Sequence, residues 1–399
     1  MKIVDVKTIV TCPGRNFVLL KIITESGITG VGDGTLNGRE LAVAAALSEH
    51  IAPLLIGRDS DRVEDIWQYL FRGSYWRGGP VLNTALAAVD MALWDIKGKR
   101  AGLPLYSILG GKTREGALCY THAAGETFEE TTDKAREFID RGFKVVRCQS
   151  AIPGNKGTYG SGRGASASGE SLPFEEVWEP RPYLQTVPKL FAHLRDELGD
   201  QIEIFHDVHE RLTPIQAAQL AKDLEPYRLF FLEDPLRPEH KESFRLIRQH
   251  STTPIAMGEL FTNKWECLPL ITEQLIDYIR CDLAHAGGIT EAKKIAAVAE
   301  CYQVQTAWHG PPDISPIAHA ANVHLDLALP NFGIQEWVEH PAEVAEVIEG
   351  GPTYADGYLT VSDAPGLGCE INEAAAKKFP YKRAYLPVTR RADGSVHDW

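Results

Sequence analysis

From about residue 116 onward, the chain alternates short apolar runs with amphipathic segments. Eight runs can be counted, namely ALCYTH, KVVRCQ, IEIFHD, LFFLED, PIAMGE, DYIRCD, VQTAWH and FGIQEW. Segments with helical spacing of apolar residues, such as TPIQAAQLAKDLEPY and ITEAKKIAAVAECY, lie between most of them. Strand–helix alternation repeated about eight times is typical of a parallel barrel. The pattern predicts an α/β fold, a (β/α)8-type TIM barrel, over residues 116–364.

The ends of these runs carry polar or charged residues at nearly equal intervals. Asp207 and Glu233 are 26 residues apart, and so are Glu233 and Glu259, which is about one strand–helix unit. Barrel enzymes place catalytic residues where strands give way to loops at the C-terminal face. We therefore expect eight side chains at one barrel mouth: His122, Arg147, Asp207, Glu233, Glu259, Arg280, His309 and Glu336.

Three further parts complete the chain. Residues 1–115 combine β-rich segments, KIVDVKTIVT and FVLLKIITESG, with helical stretches, RELAVAAALSEHIAPLLIG and NTALAAVDMALWDIKGKRAG, and predict an α+β domain. A Gly/Ser-rich segment lies in the long interval after the second barrel strand and predicts a loop over residues 150–184. Residues 365–399 show no periodic pattern.

The composition narrows the class of partner. The formal net charge is −13, and an acidic protein repels the phosphates of nucleic acids and anionic membranes. The opening MKIVDVKTIVTCPGRNF lacks the features of a signal peptide, and no apolar run approaches the ~20 residues that span a bilayer. Seven scattered cysteines without a CxxC pair indicate reduced thiols. We expect a cytoplasmic protein with no nucleic-acid or membrane partner.

Three carboxylates on neighbouring strands repel one another when no cation lies between them. A divalent metal removes that conflict, and all-oxygen ligation favours Mg2+, with Mn2+ able to substitute. A zinc site at His206 or His209 is less well supported, because neither has an HExxH-type partner. His209 lies two residues after Asp207, so an extended backbone would turn both side chains to the same side. His206 has the opposite parity and is expected to face the helix layer.

Three of these motifs, HDVHERL, FLEDP and MGE, resemble those of the enolase superfamily, in which an Asp and two Glu at the ends of consecutive barrel strands hold Mg2+. Within it the chain resembles the mannonate dehydratase group, on the motifs YTHAAG, VVRCQ, GTYG, HDVHERLTP, FLEDPLRPE, HGPPDISPIAHAANVHLDLALPNFGIQEW and the terminal tryptophan. Many superfamily members carry a Lys-x-Lys base on the second strand. Here Val145, Val146 and Arg147 stand in its place, a departure that the group shares. The resemblance implies a (β/α)7β barrel and a capping domain that the chain's tail completes.

The resemblance also implies a reaction, the Mg2+-dependent dehydration of an aldonic acid, D-mannonate, to 2-keto-3-deoxy-D-gluconate and water. In that reaction Asp207, Glu233 and Glu259 hold the metal. Tyr159 with Arg147 removes the α-proton, and His209 protonates the departing 3-hydroxyl. The implied substrate contacts are Asn37, His122, Arg280, His309, Asp313 and Glu336. Two tryptophans, Trp76 and Trp399, either close over the bound acid or simply pack.

Several alternatives stay open at this point. The same chemistry can act on D-gluconate, the C2 epimer, or on both acids, and Pro311-Pro312 stiffens the turn beside a substrate contact in a way that bears on efficiency. A racemase or cycloisomerase is less favoured because no Lys base pair is present. A protein of another class, which binds or senses sugar acids with little activity, would keep the pocket. The resemblance further implies an even-numbered homo-oligomer.

Overall fold

The computed structural model of the chain describes residues 1–153, 173 and 175–398. Tyr159 and Trp399, to which the sequence resemblance assigns a base and a lid role, lie outside the described residues. Among the helices of the described part, none is long and apolar enough to cross a bilayer.

The N-terminal part is an antiparallel sheet covered by helices. Its strands, paired in chain order, are Ile3–Thr11, Phe17–Thr24 and Thr29–Asp33. The helical segments are Glu40–Ala45, Ala46–Ile51 (a π-helical turn), Ala52–Leu55, Val63–Arg72, Pro80–Ala101 and Leu105–Ile108. Both long helical stretches were predicted. The ten-residue helix that buries Trp67 was not, although its apolar residues recur at helical spacing (Val63, Ile66, Trp67, Leu70 and Phe71) and were an available signal.

The longest helix, Pro80–Ala101, packs directly on the third strand because two strand positions are glycine. A Cβ atom at Gly32 would lie 1.9 Å from the backbone oxygen of Ala88. One at Gly30 would lie 2.0 Å from the backbone oxygen of Ala92. The glycines therefore set the distance between the helix and the sheet, and with it the position of the loops that leave the sheet.

The substitution Gly32→Ala is expected to lower the free energy of unfolding by about 2–3 kcal/mol, because the added methyl group must push the helix off the sheet. Denaturant unfolding measures the loss. Gly27→Ala is the matched control: a Cβ there meets no atom within 4 Å, so only its left-handed backbone (φ 83°) is strained, at a cost of about 1 kcal/mol. Equal losses in the two variants would contradict the close-packing explanation.

The central part is a closed parallel barrel. Eight strands of the described chain form it, in the order Ala117–Gly125, Val145–Ser150, Glu203–Asp207, Leu232–Glu233, Ile255–Met257, Tyr278–Ile279, Gln305–Thr306 and Gln335–Glu336. Each pairs in parallel with the next as far as the seventh, and the eighth pairs with the first. A bridge from Thr306 to Phe332 closes the ring. All eight apolar runs of the sequence are barrel strands, as predicted.

Helices alternate with these strands on the outside of the barrel. Those described between strands are Phe128–Asp140, Pro180–Leu198, Pro214–Leu224, Phe244–His250, Lys264–Thr272, Ile289–Cys301 and Pro316–Ala328. Seven helices between eight strands make the barrel (β/α)7β. The helix Pro180–Leu198 begins inside the segment 150–184 that was predicted as a loop, with Pro180 at a position where its missing N–H costs nothing.

The inside of the barrel is divided between apolar and polar side chains. Apolar residues contributed by seven of the eight strand segments fill one part of it: Tyr120, Val145, Phe205, Phe231, Ala256, Ala307 and Ile334. The strand ends beyond this layer carry the charged residues singled out from the sequence. The fold thus gathers one polar mouth above a packed apolar floor.

The C-terminal segment crosses back over both other parts. Its short elements are Val344–Val347, Ile348–Gly350, Thr353–Ala355, Tyr358–Thr360, Cys369–Ile371, Glu373–Ala376, Val388–Arg390 and Val396–His397. Glu373 accepts ion pairs from Lys7 and Lys21 of the N-terminal sheet. The strand Val388–Arg390 pairs with Glu175–Val177, close to the barrel mouth. The tail therefore joins the N-terminal sheet to the barrel.

Candidate active site

The acids at the ends of the third, fourth and fifth barrel strands are linked by two buried arginines. Nη1 of Arg147 lies 2.7 Å from Oδ2 of Asp207 and 3.9 Å from Oε1 of Glu233. Nη2 of Arg280 lies 2.7 Å from Oε1 of Glu233 and 3.4 Å from Oε2 of Glu259. The expectation that no protein cation lies between these carboxylates is therefore wrong. The arginines come from strands two and six, which flank the acids.

Burial dominates the electrostatics of these acids. It raises the pKa of Asp207 to about 7, with Arg147 opposing the shift and Glu259 adding to it. Burial likewise raises the pKa of Glu233 well above its usual value, although Arg280 opposes it. Two arginines thus do not compensate for the desolvation of Asp207 and Glu233, and burial favours the protonated form of these two acids unless a further cation is present.

A divalent cation fits this donor set. Neither oxygen of the fully buried Glu233 accepts a well-directed hydrogen bond from a described residue, although Arg280 lies close to one of them. Oxygen-only ligands are those that Mg2+ prefers. Glu259 also belongs to a second carboxylate group, with Glu210 and Asp234, whose oxygens lie within 4.8 Å of one another. Asp207, Glu233 and Glu259 supply such oxygen donors from three neighbouring strands and are chemically suited to a hard cation. Among the described residues, however, the group whose carboxylate oxygens lie within that distance is Glu210, Asp234 and Glu259, so only Glu259 of the predicted ligands belongs to it.

His209 lies beside Asp207, but not for the predicted reason. The strand ends at Asp207, and His209 and Glu210 both adopt left-handed conformations, with φ 52° and 56°. This turn, rather than an extended backbone, brings Nε2 of His209 to 2.9 Å from Oδ2 of Asp207 and 4.0 Å from Oε1 of Glu259. Burial lowers the pKa of His209 well below its usual value, and Arg211 and Arg147 add to the shift.

His206 faces the helix layer, as predicted. Its Nε2 lies 2.7 Å from the hydroxyl of Tyr183, on the helix Pro180–Leu198, and its Nδ1 lies 3.1 Å from the carbonyl oxygen of Cys148. Its ring also packs edge-on against Phe191. Every polar atom of this histidine is engaged away from the mouth, so its role is to pack the strand against the helix.

His309 has the opposite charge state to His209. Its Nδ1 lies 2.8 Å from Oδ2 of Asp282, and its Nε2 lies 3.4 Å from Oε2 of Glu259. Burial lowers the pKa of His309, but Glu259, Glu336 and Asp282 outweigh it and raise the pKa to about 9. His309 is therefore an imidazolium near neutral pH, fixed by Asp282 and directed at the carboxylates.

Glu336 joins the first, sixth and eighth strands at the same mouth. Its Oε1 lies 2.8 Å from Nε2 of His122, and its Oε2 lies 3.2 Å from Nη2 of Arg280. Nη2 of Arg147 lies 3.1 Å from Nδ1 of His122. Although burial raises the pKa of Glu336, Arg280 and His309 lower it well below its usual value. All eight side chains predicted at the strand ends therefore meet at one mouth.

The two predicted contacts outside the strand ends also meet. Nδ2 of Asn37, in the loop after the N-terminal sheet, donates to Oδ2 of Asp313 at 2.7 Å. Trp76 is separate from them: its side chain is 82% exposed, and its ring contacts Tyr75 at a centroid distance of 5.1 Å. In this arrangement Trp76 does not pack in a core, and its predicted lid role stays a prediction.

Comparison with known proteins agrees with this architecture. A family model for the mandelate racemase/muconate lactonizing enzyme N-terminal domain matches residues 5–110, and one described as enolase C-terminal domain-like matches residues 130–375. The chain belongs to the enolase superfamily. D-mannonate dehydratases of Caulobacter sp. (strain K31) and Caulobacter vibrioides are 56% and 55% identical to it, each over 100% of both chains. A crystal structure of an enolase from Pantoea ananatis with bound D-gluconate and Mg superposes with a TM-score of 0.92, at 47% identity, over 100% of this chain and 99% of that one.

Sequence reasoning missed three contacts of this enolase-superfamily site. Asp282, which fixes His309, lies two residues after Arg280 in the extension of the sixth strand, where it forms a bridge with His309, so the period of two was an available signal. Tyr120, whose hydroxyl accepts from Nη1 of Arg280 at 2.7 Å, resembles an ordinary core aromatic. Arg15, whose Nη1 lies 2.6 Å from Oδ1 of Asp313, is in a turn nearly 300 residues away in sequence, and no local pattern indicates it.

Proposed function

We propose that the chain is a Mg2+-dependent hydro-lyase that converts D-mannonate to 2-keto-3-deoxy-D-gluconate and water. The observation that carries the proposal is the mouth itself, where Asp207, Glu233 and Glu259 stand on consecutive strand ends between two arginines and two histidines. Full-length relatives that share more than half of its residues are named D-mannonate dehydratases. They support the same chemistry here.

The first half of the reaction is removal of the α-proton. In the proposal Asp207, Glu233 and Glu259 hold the metal. When bound, Mg2+ supplies a Lewis acid for the substrate carboxylate and neutralises charge that develops beside it. Tyr159 accepts the α-proton as a phenolate, which requires a neighbouring cation because the pKa of free tyrosine is near ~10. Arg147, a permanent cation within the second strand, supplies that charge.

The second half is loss of the 3-hydroxyl. His209 protonates the departing oxygen, so that the C3–O bond breaks as water forms and the resulting enol tautomerises to the 2-keto product. His209 is neutral in the metal-free site, and a substrate anion beside it raises its pKa toward the working range. His309, already an imidazolium, binds the anionic end of the substrate, and Arg280, Glu336 and His122 complete the hydrogen bonds around it.

D-gluconate is the second candidate substrate. It differs from D-mannonate in configuration at C2 alone, and the similar Pantoea ananatis protein holds D-gluconate and Mg. Removal of the α-proton from the C2 epimer requires a base on the opposite side of C2. The relative rates of dehydration of the two acids therefore indicate on which side of C2 the base lies.

Incubation of the purified protein with Mg2+ and a library of sugar acids is expected to yield a 2-keto-3-deoxy product from D-mannonate, from D-gluconate or from both, with none after chelation of the metal. A colour assay for 2-keto-3-deoxy acids and proton NMR of the product measure the outcome. D-Galactonate serves as the control for epimer selectivity. No product from any acid would overturn the proposal and favour a sugar-acid-binding protein.

The proposal extends to the assembly and the location of the protein. We infer an even-numbered homo-oligomer in the cytoplasm, with an aldonic acid as the small-molecule partner. The exposed pair Tyr75 and Trp76 supports association, because large aromatic side chains on a glycine-flanked loop are enriched at protein interfaces.

A further inference from the structure

A polar cleft lies between the N-terminal sheet and the loop after the seventh barrel strand. It is lined by Arg15, Asn16, Thr35, Asn37, Glu40 and Asp313. Asp313 follows His309 by four residues, which span at most about 14 Å, so this wall of the cleft lies within that distance of the mouth. Asp33, at the end of the sheet, accepts from the backbone N–H of Ser315 at 2.5 Å and holds the two walls together. Because the resemblance implies that Asn37 and Asp313 contact the substrate, an acid whose carboxylate lies near His309 would place its other end here.

One ion pair occupies the centre of this cleft. Nη1 of Arg15 lies 2.6 Å from Oδ1 of Asp313, and Nδ2 of Asn37 donates to Oδ2 of Asp313 at 2.7 Å. The two charged side chains are only about a quarter exposed, at 23% and 27%. Both oxygens of Asp313 are engaged, and the charge of Arg15 is matched by a carboxylate of the protein.

A second acid faces the same cleft with an unused oxygen. Glu40 is 2% exposed, its Oε1 accepts from the backbone N–H of Gly38 at 3.2 Å, and its Oε2 accepts no hydrogen bond from the described residues. The amide of Asn16 both donates to and accepts from the backbone of Lys382, and its side chain also hydrogen-bonds the Glu40 carboxyl. A buried oxygen without a donor is costly, and a ligand hydroxyl removes that cost.

The charges of the cleft distinguish a sugar acid that ends in a hydroxymethyl group from one that ends in a second carboxylate. Arg15 contributes one positive charge, and Asp313 and Glu40 contribute two acids. A hydroxymethyl group can donate to either acid and accept from Arg15 or Asn37. A second carboxylate can accept only, so it would face both acids while Arg15 is already paired.

We propose that the Arg15–Asp313 ion pair makes this site selective for aldonic acids, which end in a hydroxymethyl group, and excludes aldaric acids, which end in a second carboxylate. Arg15 is a specificity-determining residue in this view, because it would bind that carboxylate if Asp313 did not neutralise it. The inference rests on the proposed function and deepens it by naming the feature that selects the substrate class.

The test compares D-mannonate with D-mannarate, which differs from it at C6 alone and has two equivalent ends. Calorimetry in the presence of Mg2+ measures the affinity of each acid, independently of turnover. Wild-type protein is expected to bind D-mannonate at least 100-fold more tightly. Asp313→Asn keeps the size of the side chain and frees Arg15, and it is expected to reduce that ratio at least tenfold. The double variant Asp313→Asn with Arg15→Gln is expected to restore the wild-type preference.

Two further results keep the outcomes separate. Arg15→Gln alone leaves Asp313 without its ion-pair partner and is expected to reject D-mannarate at least as strongly as wild type. This variant tests the inference if Asp313→Asn does not fold. If a folded Asp313→Asn variant keeps the wild-type ratio of affinities for the two acids, this inference is overturned. If the wild-type protein also turns over D-mannonate, the proposed function is unaffected. Equal wild-type affinity for both acids overturns it as well. Absence of wild-type turnover and of binding to either acid overturns both proposals.

Discussion

Glu233→Gln is expected to lower Mg2+-dependent turnover of D-mannonate by at least about 10⁴-fold, which corresponds to roughly 5 kcal/mol. Glu233 lies at the end of the fourth strand, is fully buried, and has two oxygens without a well-directed donor among the described residues. The amide keeps the shape of the side chain but removes the charge that a hard cation requires. Steady-state kinetics and titration with Mg2+ measure the loss of activity and of metal affinity.

The same variant is expected to be more stable than wild type when metal is absent. Burial raises the pKa of Glu233 well above its usual value and that of Asp207 to about 7. A carboxyl whose pKa is raised in the fold binds its proton more tightly there than in the unfolded chain, so the fold loses stability as pH rises between the two pKa values. For Asp207 that window runs from about 4 to about 7. Glu233→Gln removes one ionising neighbour, so melting in EDTA shifts upward and depends less on pH in this window.

Glu291→Gln is the matched control for both effects. Glu291 is also fully buried, but it pairs with Nζ of Lys264 at 2.9 Å between two helices on the outside of the barrel. Its replacement leaves Lys264 with a weaker partner and lowers stability, whereas the melting shift caused by Mg2+ persists. Turnover of the Glu233 variant within tenfold of wild type, or a normal Mg2+ shift, would refute the ligand assignment.

His209→Asn is expected to lower the rate of dehydration by about 10³- to 10⁴-fold, while exchange of the α-proton with solvent continues. The assignment makes His209 the donor to the departing 3-hydroxyl and leaves the base untouched. In D2O the recovered D-mannonate should therefore carry deuterium at C2, which NMR measures directly. Tyr159→Phe provides the complementary case, since loss of the base abolishes exchange and dehydration together.

His206→Asn controls for damage to the same strand. This neighbouring histidine contacts Tyr183 and the carbonyl of Cys148, away from the mouth. Its replacement should lower stability without altering the ratio of exchange to dehydration. Loss of exchange in His209→Asn would assign the histidine to proton abstraction or to metal binding, and full retention of dehydration would transfer the acid role to another residue such as His309.

Predictions from the sequence were most accurate where the same pattern of residues recurs in each strand–helix unit. All eight strands were predicted, because each unit of a barrel repeats one apolar run followed by one polar residue. The eight predicted polar residues lie at the mouth, but His122 and Arg147 are inside strands that continue to Gly125 and Ser150, so the prediction of strand ends was wrong for these two. The packing role of His206 followed from the alternation of side chains along a strand. These are local properties, and a single chain displays them without knowledge of its neighbours.

Contacts between segments far apart in the chain could not be predicted from the sequence. Arg147 and Arg280 were predicted at the mouth, but their position between the acids depends on side-chain reach across strands. The left-handed turn at His209 was not predicted because it contains no glycine. Arg15 meets Asp313 through the docking of the N-terminal sheet on the barrel, which periodicity does not encode. Residue identity predicted the chemistry of the site, whereas tertiary packing determines which groups compensate one another.

The return of the C-terminal segment to the N-terminal sheet has a consequence for how the molecule acquires its structure. The hydroxyl of Thr11 donates to the carbonyl of Ala376, and Asn16 donates to the carbonyl of Lys382, across 365 and 366 residues of chain. Ordering so long an intervening chain before such contacts form slows folding. During synthesis nearly the whole barrel is made before the C-terminal residues that contact the N-terminal sheet. Two regions that family models recognise separately are therefore expected to melt in one transition, and a fragment of the N-terminal region alone would expose the surface that the tail covers.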